Sequence, residues 1–156
     1  MNKQAVLDQI LSVLRAELAA LTCAARGAFA AATDPDSKAE NKYDTRTLEA
    51  SYVARGQAMR VAELQEAERA FAVLSGKPLA PGAAAALGAL VSLEDQGGSV
   101  HYFIGPQAGG TEIMHDGHEI VVITPASVLG RKLIGRREGD VIPLRPGMEA
   151  RVTRVV

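Results

Sequence analysis

The chain has 156 residues, of which 47% are hydrophobic and 4% aromatic, and its formal net charge is −1 at pH 7. This length accommodates one ordinary domain or two small ones, and the apolar fraction excludes wholesale disorder. The near-zero charge excludes a general electrostatic attraction to nucleic acid, so any association with DNA or RNA must be local or arrive through another protein.

The cysteine count and the apolar runs narrow the class of protein further. Cys23 is the only cysteine, which excludes an internal disulfide framework and a cysteine-rich zinc site. The chain begins Met-Asn-Lys without a secretory apolar run, and no apolar span is long enough to cross a bilayer. We therefore expect a cytoplasmic protein that does not bind membranes.

The first predicted element is a long amphipathic helix. Its apolar residues alternate at spacings of four and three, which is the seam of a coiled coil: Leu7, Leu11, Leu14, Leu18, Leu21, Ala25 and Ala28. Pro35 cannot donate within a helix and disfavours helical geometry in the residue before it. We predict that this helix ends near Thr33.

A second long helix is predicted within a few residues. Ser37 followed by Glu40 fits a capping box, and Asp34 followed by Pro35 offers an earlier start. Gly76 is predicted to cap its end. Its seam consists of Ala50, Val53, Gln57, Val61, Leu64, Ala67, Phe71 and Leu74. Two long helices joined by a short turn must pack antiparallel, so residues 1–76 are predicted to form a coiled-coil hairpin with residues 34–44 at its tip.

The predicted tip is acidic. If the second helix begins by Asp36, then Asp36, Glu40 and Asp44 share one face, where like charges repel by roughly 0.2–0.5 kcal/mol per pair. The helix dipole offsets part of this repulsion. Two interpretations stay open, namely ordinary helix-start acids and a presented acidic site that binds a partner or assists chemistry.

In the second half of the chain, the hydrophobic pattern changes from one typical of helices to one typical of short strands. Residues 77–88 are a small-residue linker, and residues 89–156 are predicted to form a mostly antiparallel sheet with one short helix at 127–134. The fold class is therefore α+β. The predicted strands cover residues 89–93, 100–104, 119–124, 141–144 and 151–156.

Two further groups of residues are candidate sites. The cations Arg131, Lys132, Arg136 and Arg137 are either a solvated helix end or a docking patch for an acidic partner, and no aromatic residues are interleaved for base stacking. His115 and His118 have a His-x-x-His spacing, but Asp116-Gly117 between them is a strong hairpin-turn signal. We interpret them as two exposed loop histidines rather than a zinc site.

Three stretches resemble the bacterial Gre transcript-cleavage factors. Glu40-Asn41, with Tyr43 after it, is similar to that family's Glu-Asn-Ala-Glu-Tyr. Residues 127–140 resemble its Ser-Pro-(Leu/Ile)-Gly-x-Ala-(Leu/Ile)-(Leu/Ile)-Gly-Lys-x-x-Gly-Asp, and residues 91–95 resemble its first sheet strand. The resemblance implies that residues 89–156 have an FKBP-like fold.

The resemblance also implies a partner and a mechanism. The second domain would dock at the rim of the secondary channel of RNA polymerase, and the coiled coil would reach toward the polymerase active site. Glu40 and Asp36 would help to hold a Mg²⁺ shared with the polymerase, with Asn41 and Asp44 as further catalytic-site residues. Backtracked RNA would be hydrolysed, its 3′ end being contacted indirectly. Carboxylates suit this role because Mg²⁺ prefers hard oxygen ligands.

Under this hypothesis the chain is an accessory factor rather than a free-standing enzyme. It would bind no cofactor tightly and act as a monomer. The polymerase-binding residues would be Ser127, Arg131, Lys132, Arg136 and Arg137.

The tip departs from the family's pattern. The spacing from Asp36 to Glu40 is one residue longer, Lys42 lies where an acid is expected, and Asp44 follows Tyr43 instead. A non-cleaving Gre homologue that occupies the channel and inhibits transcription is therefore an alternative. A stand-alone FKBP-like chaperone or isomerase is a third hypothesis, disfavoured because Tyr102 and Phe103 are the only aromatic residues of the second domain.

Overall fold

The computed structural model describes residues 1–33, 46–145 and 147–156. Within these ranges the chain is α+β, as predicted, with two long helices followed by a six-stranded sheet and one short helix. The predicted tip, residues 34–44, lies outside the described residues. None of the described helices is long and apolar enough to cross a membrane.

The elements follow the predicted order, and the first helix continues to Thr33, the last described residue before the predicted tip. Along the chain they are α1 (Lys3–Thr33), α2 (Arg46–Ala72), β1 (Leu90–Asp95), β2 (Gly98–Ile104), β3 (Glu112–His115), β4 (His118–Ile123), α3 (Val128–Leu133), β5 (Val141–Arg145) and β6 (Met148–Val155).

Contacts divide the chain into two compact units. The helical unit is Val13–Glu68, and the sheet unit combines Met1–Ser12 with Arg69–Val156. The first turns of α1 and the last turn of α2 thus belong with the sheet.

In the helical unit, α1 and α2 run antiparallel. Arg15 Nε lies 2.7 Å from Glu68 Oε1. Further along α1, Glu17 Oε1 lies 3.2 Å from Arg60 Nη2, which comes earlier in α2. Because the partners occur in opposite order along the two helices, these ion pairs define the antiparallel direction.

The apolar seam of the helical unit agrees with the predicted one over most of its length. The predicted members that are buried or half-buried are Leu14, Leu18, Leu21, Ala25, Gln57, Val61, Leu64 and Ala67. Val53 is an exception, because its side chain is 54% exposed. Ala54 is half-buried in its place, which keeps the spacing of three to Gln57.

The end of α2 differs from the prediction, because the helix stops at Ala72 rather than at Gly76. Gly76 does not have the positive φ of a capping glycine. A Cβ at this position would lie 1.8 Å from Gln4 Oε1 and 3.0 Å from Gln4 Cα. Gly76 therefore accommodates the close approach of Gln4 at the start of α1, a constraint that the local sequence cannot reveal.

The sheet has the strand order β3-β4-β2-β1-β6-β5. The pairing of β2 with β4 is parallel, and the other pairings described are antiparallel. The predicted mostly antiparallel sheet is confirmed. Its one parallel pairing among the described strands was not predicted, because the sequence interpretation missed β3. After β2 the chain crosses to the sheet edge, forms β3 there and turns back, so β4 lies beside β2 in the same direction.

Both faces of the sheet are covered near its centre. In β1 the consecutive residues Leu90, Val91, Ser92 and Leu93 are all buried. Alternate residues point to opposite faces, so the two faces have separate sets of apolar contacts. On one face, Leu133 of α3 packs in a cluster with Val91, Leu93, Ile104, Ile142 and Val152. On the other face, which we call the α1 face, the ring of Phe103 stacks on Phe71 with their centroids 6.0 Å apart.

Candidate functional site

The predicted catalytic and Mg²⁺-binding residues Asp36, Glu40, Asn41 and Asp44 lie outside the described residues. Their roles stay predictions from the sequence. The predicted polymerase-binding residues, in contrast, are all described, and they lie in and around α3. The candidate site that the described residues contain is therefore the α3 region.

Ser127 and Gly130 set the turn from β4 into α3. The Ser127 side chain accepts a hydrogen bond from Gly130 N–H at 2.9 Å and donates one to Thr124 O at 2.8 Å. This is an N-cap, with Ser127 in extended geometry at φ −66° and ψ 159°. A Cβ on Gly130 would lie 1.9 Å from Thr124 O, so no side chain fits there. The hydroxyl of Ser127, a predicted contact residue, is thus hydrogen-bonded within the chain at the start of the helix.

The exit from α3 is fixed in a similar way. Gly135 and Gly139 have φ values of +82° and +93°, a region that favours glycine. Between them, Arg137 N–H donates to Asp140 Oδ2 at 3.0 Å. Gly139 N–H donates to Val152 O at 2.8 Å and ties the loop to β6.

The four predicted cations all contact backbone carbonyls. Lys132 Nζ donates to Pro143 O at 2.7 Å and to Leu144 O at 3.2 Å, which links α3 to β5. Arg136 Nε donates to Lys132 O at 3.3 Å. The Arg131 and Arg137 guanidinium groups donate to Ala126 O and Gly82 O. These contacts position the cations without neutralising them.

Among the described residues, this cluster of cations has no carboxylate partner in an ion pair. None of the ion pairs between described residues involves Arg131, Lys132, Arg136 or Arg137. The three arginines are exposed, whereas Lys132 is half-buried. Their positive charge is therefore available to an acidic partner.

Two apolar side chains accompany the cations. Val128 is 66% exposed and Ile134 is 40% exposed. We call Val128, Arg131, Ile134, Arg136 and Arg137 together the α3 surface. Exposed apolar side chains mixed with arginine are typical of protein interfaces.

A cavity of about 520 Å³ lies between α3 and the β5–β6 hairpin. Its lining includes Lys132, Arg145 and Glu149, so both signs of charge are present. Lys132 is already bonded to two carbonyl oxygens, and the cavity adds no chemistry to the α3 surface.

The histidines differ from the prediction. Asp116 and Gly117 form the expected tight turn, with φ values of 52° and 78°. His118 is exposed as predicted, but the His115 side chain is only 12% exposed. Its Nδ1 lies 2.9 Å from Gln9 Oε1. The interpretation of His115 as an exposed loop residue is wrong, because α1 packs against it.

The sequence interpretation missed His101. It is 6% exposed on β2, and its ring meets that of His118 edge-on with centroids 4.9 Å apart. The available signal was its place between Val100 and Tyr102 in a predicted strand, which puts a polar side chain on the same face as Phe103. In the part of the chain that the structure describes, no three His, Cys, Asp or Glu side chains are grouped to hold one metal ion.

The described residues thus define an α+β protein with an antiparallel helix pair and a mixed sheet that carries a basic surface around α3. No protein-family model matches the sequence, and no curated protein matches it.

Several solved structures are similar to this chain. GreA factor homolog 1 (Gfh1) of Thermus thermophilus is 23% identical, with 97% of this chain and 93% of that chain covered and a TM-score of 0.39. Gfh1 of Thermus aquaticus is 21% identical, with 99% and 94% covered and a TM-score of 0.39. A further structure of the transcription factor Gfh1 gives the same identity, coverage and TM-score as the latter. These TM-scores are low, so the likeness says nothing about the activity of this chain.

Proposed function

We propose that this chain is a Gre-like transcription factor that binds RNA polymerase. The observation that carries the proposal is the resemblance of residues 127–140 to the Gre family's stretch, read together with what these residues do. Of the shared residues, Ser127 caps α3 and Gly130 allows a close approach to the backbone. Two more, Gly135 and Gly139, have a positive φ. The shared sequence therefore corresponds to one defined backbone that presents the cations.

The α3 surface docks on an acidic surface at the rim of the polymerase's secondary channel. Arg131 and Arg136 are exposed and have no carboxylate partner among the described ion pairs, which supports this role. Val128 and Ile134 add apolar area beside them. Ser127 and Lys132 shape the surface instead of contacting the partner, since their polar atoms are bonded within the chain.

The tip, residues 34–44, acts at the polymerase active site. Glu40 and Asp36 help to hold a Mg²⁺ shared with the polymerase, and Asn41 and Asp44 assist in hydrolysing backtracked RNA. The support is the sequence, which supplies hard oxygen ligands of the kind that Mg²⁺ prefers. The antiparallel α1 and α2, which flank the tip in sequence, are consistent with its presentation by a helix pair.

A non-cleaving factor that occupies the channel and inhibits transcription is the second candidate. The observation that favours it is the altered acid pattern, with the longer spacing from Asp36 to Glu40 and with Lys42 where the family has an acid. A lysine beside the metal ligands would repel the Mg²⁺ that cleavage requires.

A stalled, backtracked elongation complex tests the proposal and separates the two candidates. With Mg²⁺, wild-type protein should shorten the RNA from its 3′ end, and Glu40→Ala should not. Glu119→Ala removes an exposed acid from β4 and is the matched control, with wild-type activity expected. Equal shortening by Glu40→Ala rules out Glu40 as a contributor. No shortening by wild type, with inhibition of elongation, favours the non-cleaving factor.

A further inference from the structure

We propose that His101 and His118 form a two-histidine site for a divalent transition-metal ion of the Zn²⁺ type on the α1 face of the sheet. None of its residues belongs to the α3 surface, and the proposal does not depend on polymerase binding.

The strand register brings the two side chains to one face. In the parallel pairing of β2 with β4, His101 lies opposite Ile120. His118 precedes Ile120 by two residues and therefore points to the same side of the sheet. The two imidazoles are thus diagonal neighbours on adjacent strands.

The spacing of the rings suits a shared metal ion. Their centroids are 4.9 Å apart, and the angle between the ring planes is 78°. Two imidazoles bound to one ion through nitrogens at about 2.1 Å have ring centroids about 5 Å apart. His118 is exposed, so its side-chain torsions are free to adjust.

The buried partner, His101, already has the features of a metal ligand. Its Nδ1 lies 2.9 Å from Ser92 Oγ, which fixes the ring in place. Its Nε2 is buried and has no hydrogen-bond partner, an unfavourable state for a polar atom. Histidine ligands of metals are oriented in this manner by a hydrogen bond to the other ring nitrogen. A metal ion would satisfy the unpaired Nε2.

The rest of the face sets the type of site. Across the described ranges, no group of three His, Cys, Asp or Glu side chains could hold a metal ion. The proposed site thus has two protein ligands, fewer than the four of a closed structural zinc site.

His115 is the third histidine, and its Nε2 is also buried without a hydrogen-bond partner. Its Nδ1 lies 2.9 Å from Gln9 Oε1, and Gln9 Nε2 donates to Met114 O at 3.1 Å. Its Nε2 lies 3.3 Å from Asp116 Oδ2. Because His115 lies opposite His118 in the β3–β4 hairpin, it is the competing ligand that the test has to separate from His101.

Isothermal titration of the untagged full chain with Zn²⁺ alone, at neutral pH, tests the site. Wild type should bind one ion per chain. His118→Ala should weaken the binding about tenfold or more, because it removes one of two ligands. Its side chain is exposed, so the variant should fold, as circular dichroism will show. His115→Ala should bind Zn²⁺ as wild type does.

NMR supplies a second measurement that needs no variant. Zn²⁺ should shift the ring resonances of His101 and His118 and leave those of His115 unchanged. The proposal is overturned if wild type shows no saturable Zn²⁺ binding or if His118→Ala binds with wild-type affinity. It is also overturned if His115→Ala, and not His118→Ala, loses the ion.

Discussion

The Ser127 side chain accepts a hydrogen bond from Gly130 N–H at 2.9 Å, and this single contact fixes where α3 begins. It is accompanied by a close approach, because a Cβ on Gly130 would lie 1.9 Å from the carbonyl oxygen of Thr124. The two residues together set the path from β4 into the basic surface. Several consequences of this and of related contacts can be measured.

Gly130→Ala should destabilise the chain. The added Cβ would overlap a backbone carbonyl, which cannot move as a side-chain end can, so a loss of about 1–3 kcal/mol in the free energy of unfolding is expected. Gly27→Ala is the matched control, because its Cβ would meet nothing within 4 Å on α1. It should raise stability by roughly 0.5–1 kcal/mol through helix propensity. Chemical denaturation measures both, and equal effects of the two substitutions would contradict the close approach.

Ser127→Ala should remove the N-cap of α3. The expected cost is about 0.5–2 kcal/mol of unfolding free energy, since Gly130 N–H loses its acceptor. Ser127→Asp should retain most of that stability, because aspartate also caps helices. If alanine and aspartate are equally destabilising, the hydroxyl does not act as a cap.

Gly76→Ala should destabilise the sheet unit through a clash with Gln4. Because the nearest atom is the end of a flexible side chain, the substitution Gln4→Ala should relieve part of the cost. A double-mutant cycle in urea measures this coupling. A helix cap at Gly76 would predict no coupling to Gln4 at all, which is the outcome that would restore the original interpretation of this glycine.

Stability should fall as the pH is lowered through the range where His101 titrates. Burial lowers the pKa of His101 in the folded chain, so the unfolded chain binds more protons below about pH 6.5. The free energy of unfolding therefore rises with pH in this window. The stability that comes from keeping His101 neutral is fully present above the pKa of His101 in the unfolded chain. It is lost as the pH falls through the lower pKa of His101 in the folded chain.

Denaturation at a series of pH values measures this slope. His118→Ala should retain most of it, because desolvation of His101 is the larger cause and the charge of His118 the smaller one. His101→Gln should abolish it. A slope unchanged by His101→Gln would assign the effect to another group.

The sequence predicts the features that depend on neighbouring residues well. It predicts poorly the features that depend on contacts between residues distant in sequence. Helix α1 and the tight turn at Asp116-Gly117 follow from local chemistry and are confirmed. The strand β3 was missed because its two apolar residues, Ile113 and Met114, are adjacent and therefore show no alternation.

Gly76 and His101 show that local sequence patterns do not reveal contacts with distant residues. The reason for Gly76 lies in Gln4, which is far away in sequence. The burial of His101 depends on a sheet face covered by other elements, and its hydrogen-bond partner Ser92 belongs to the neighbouring strand. For the α3 surface, sequence located the cations correctly but not the carbonyl contacts that position them.

The central claim is that the α3 surface binds RNA polymerase. Equilibrium binding of the full chain to core RNA polymerase, for wild type, Arg136→Glu and Arg151→Glu, tests it most directly. Arg151 is an exposed cation on β6 outside the α3 surface, so its reversal is the control. We expect saturable binding by wild type and by Arg151→Glu, and a weakening of about tenfold or more by Arg136→Glu. Absence of wild-type binding, or equal binding by all three proteins, would contradict the account.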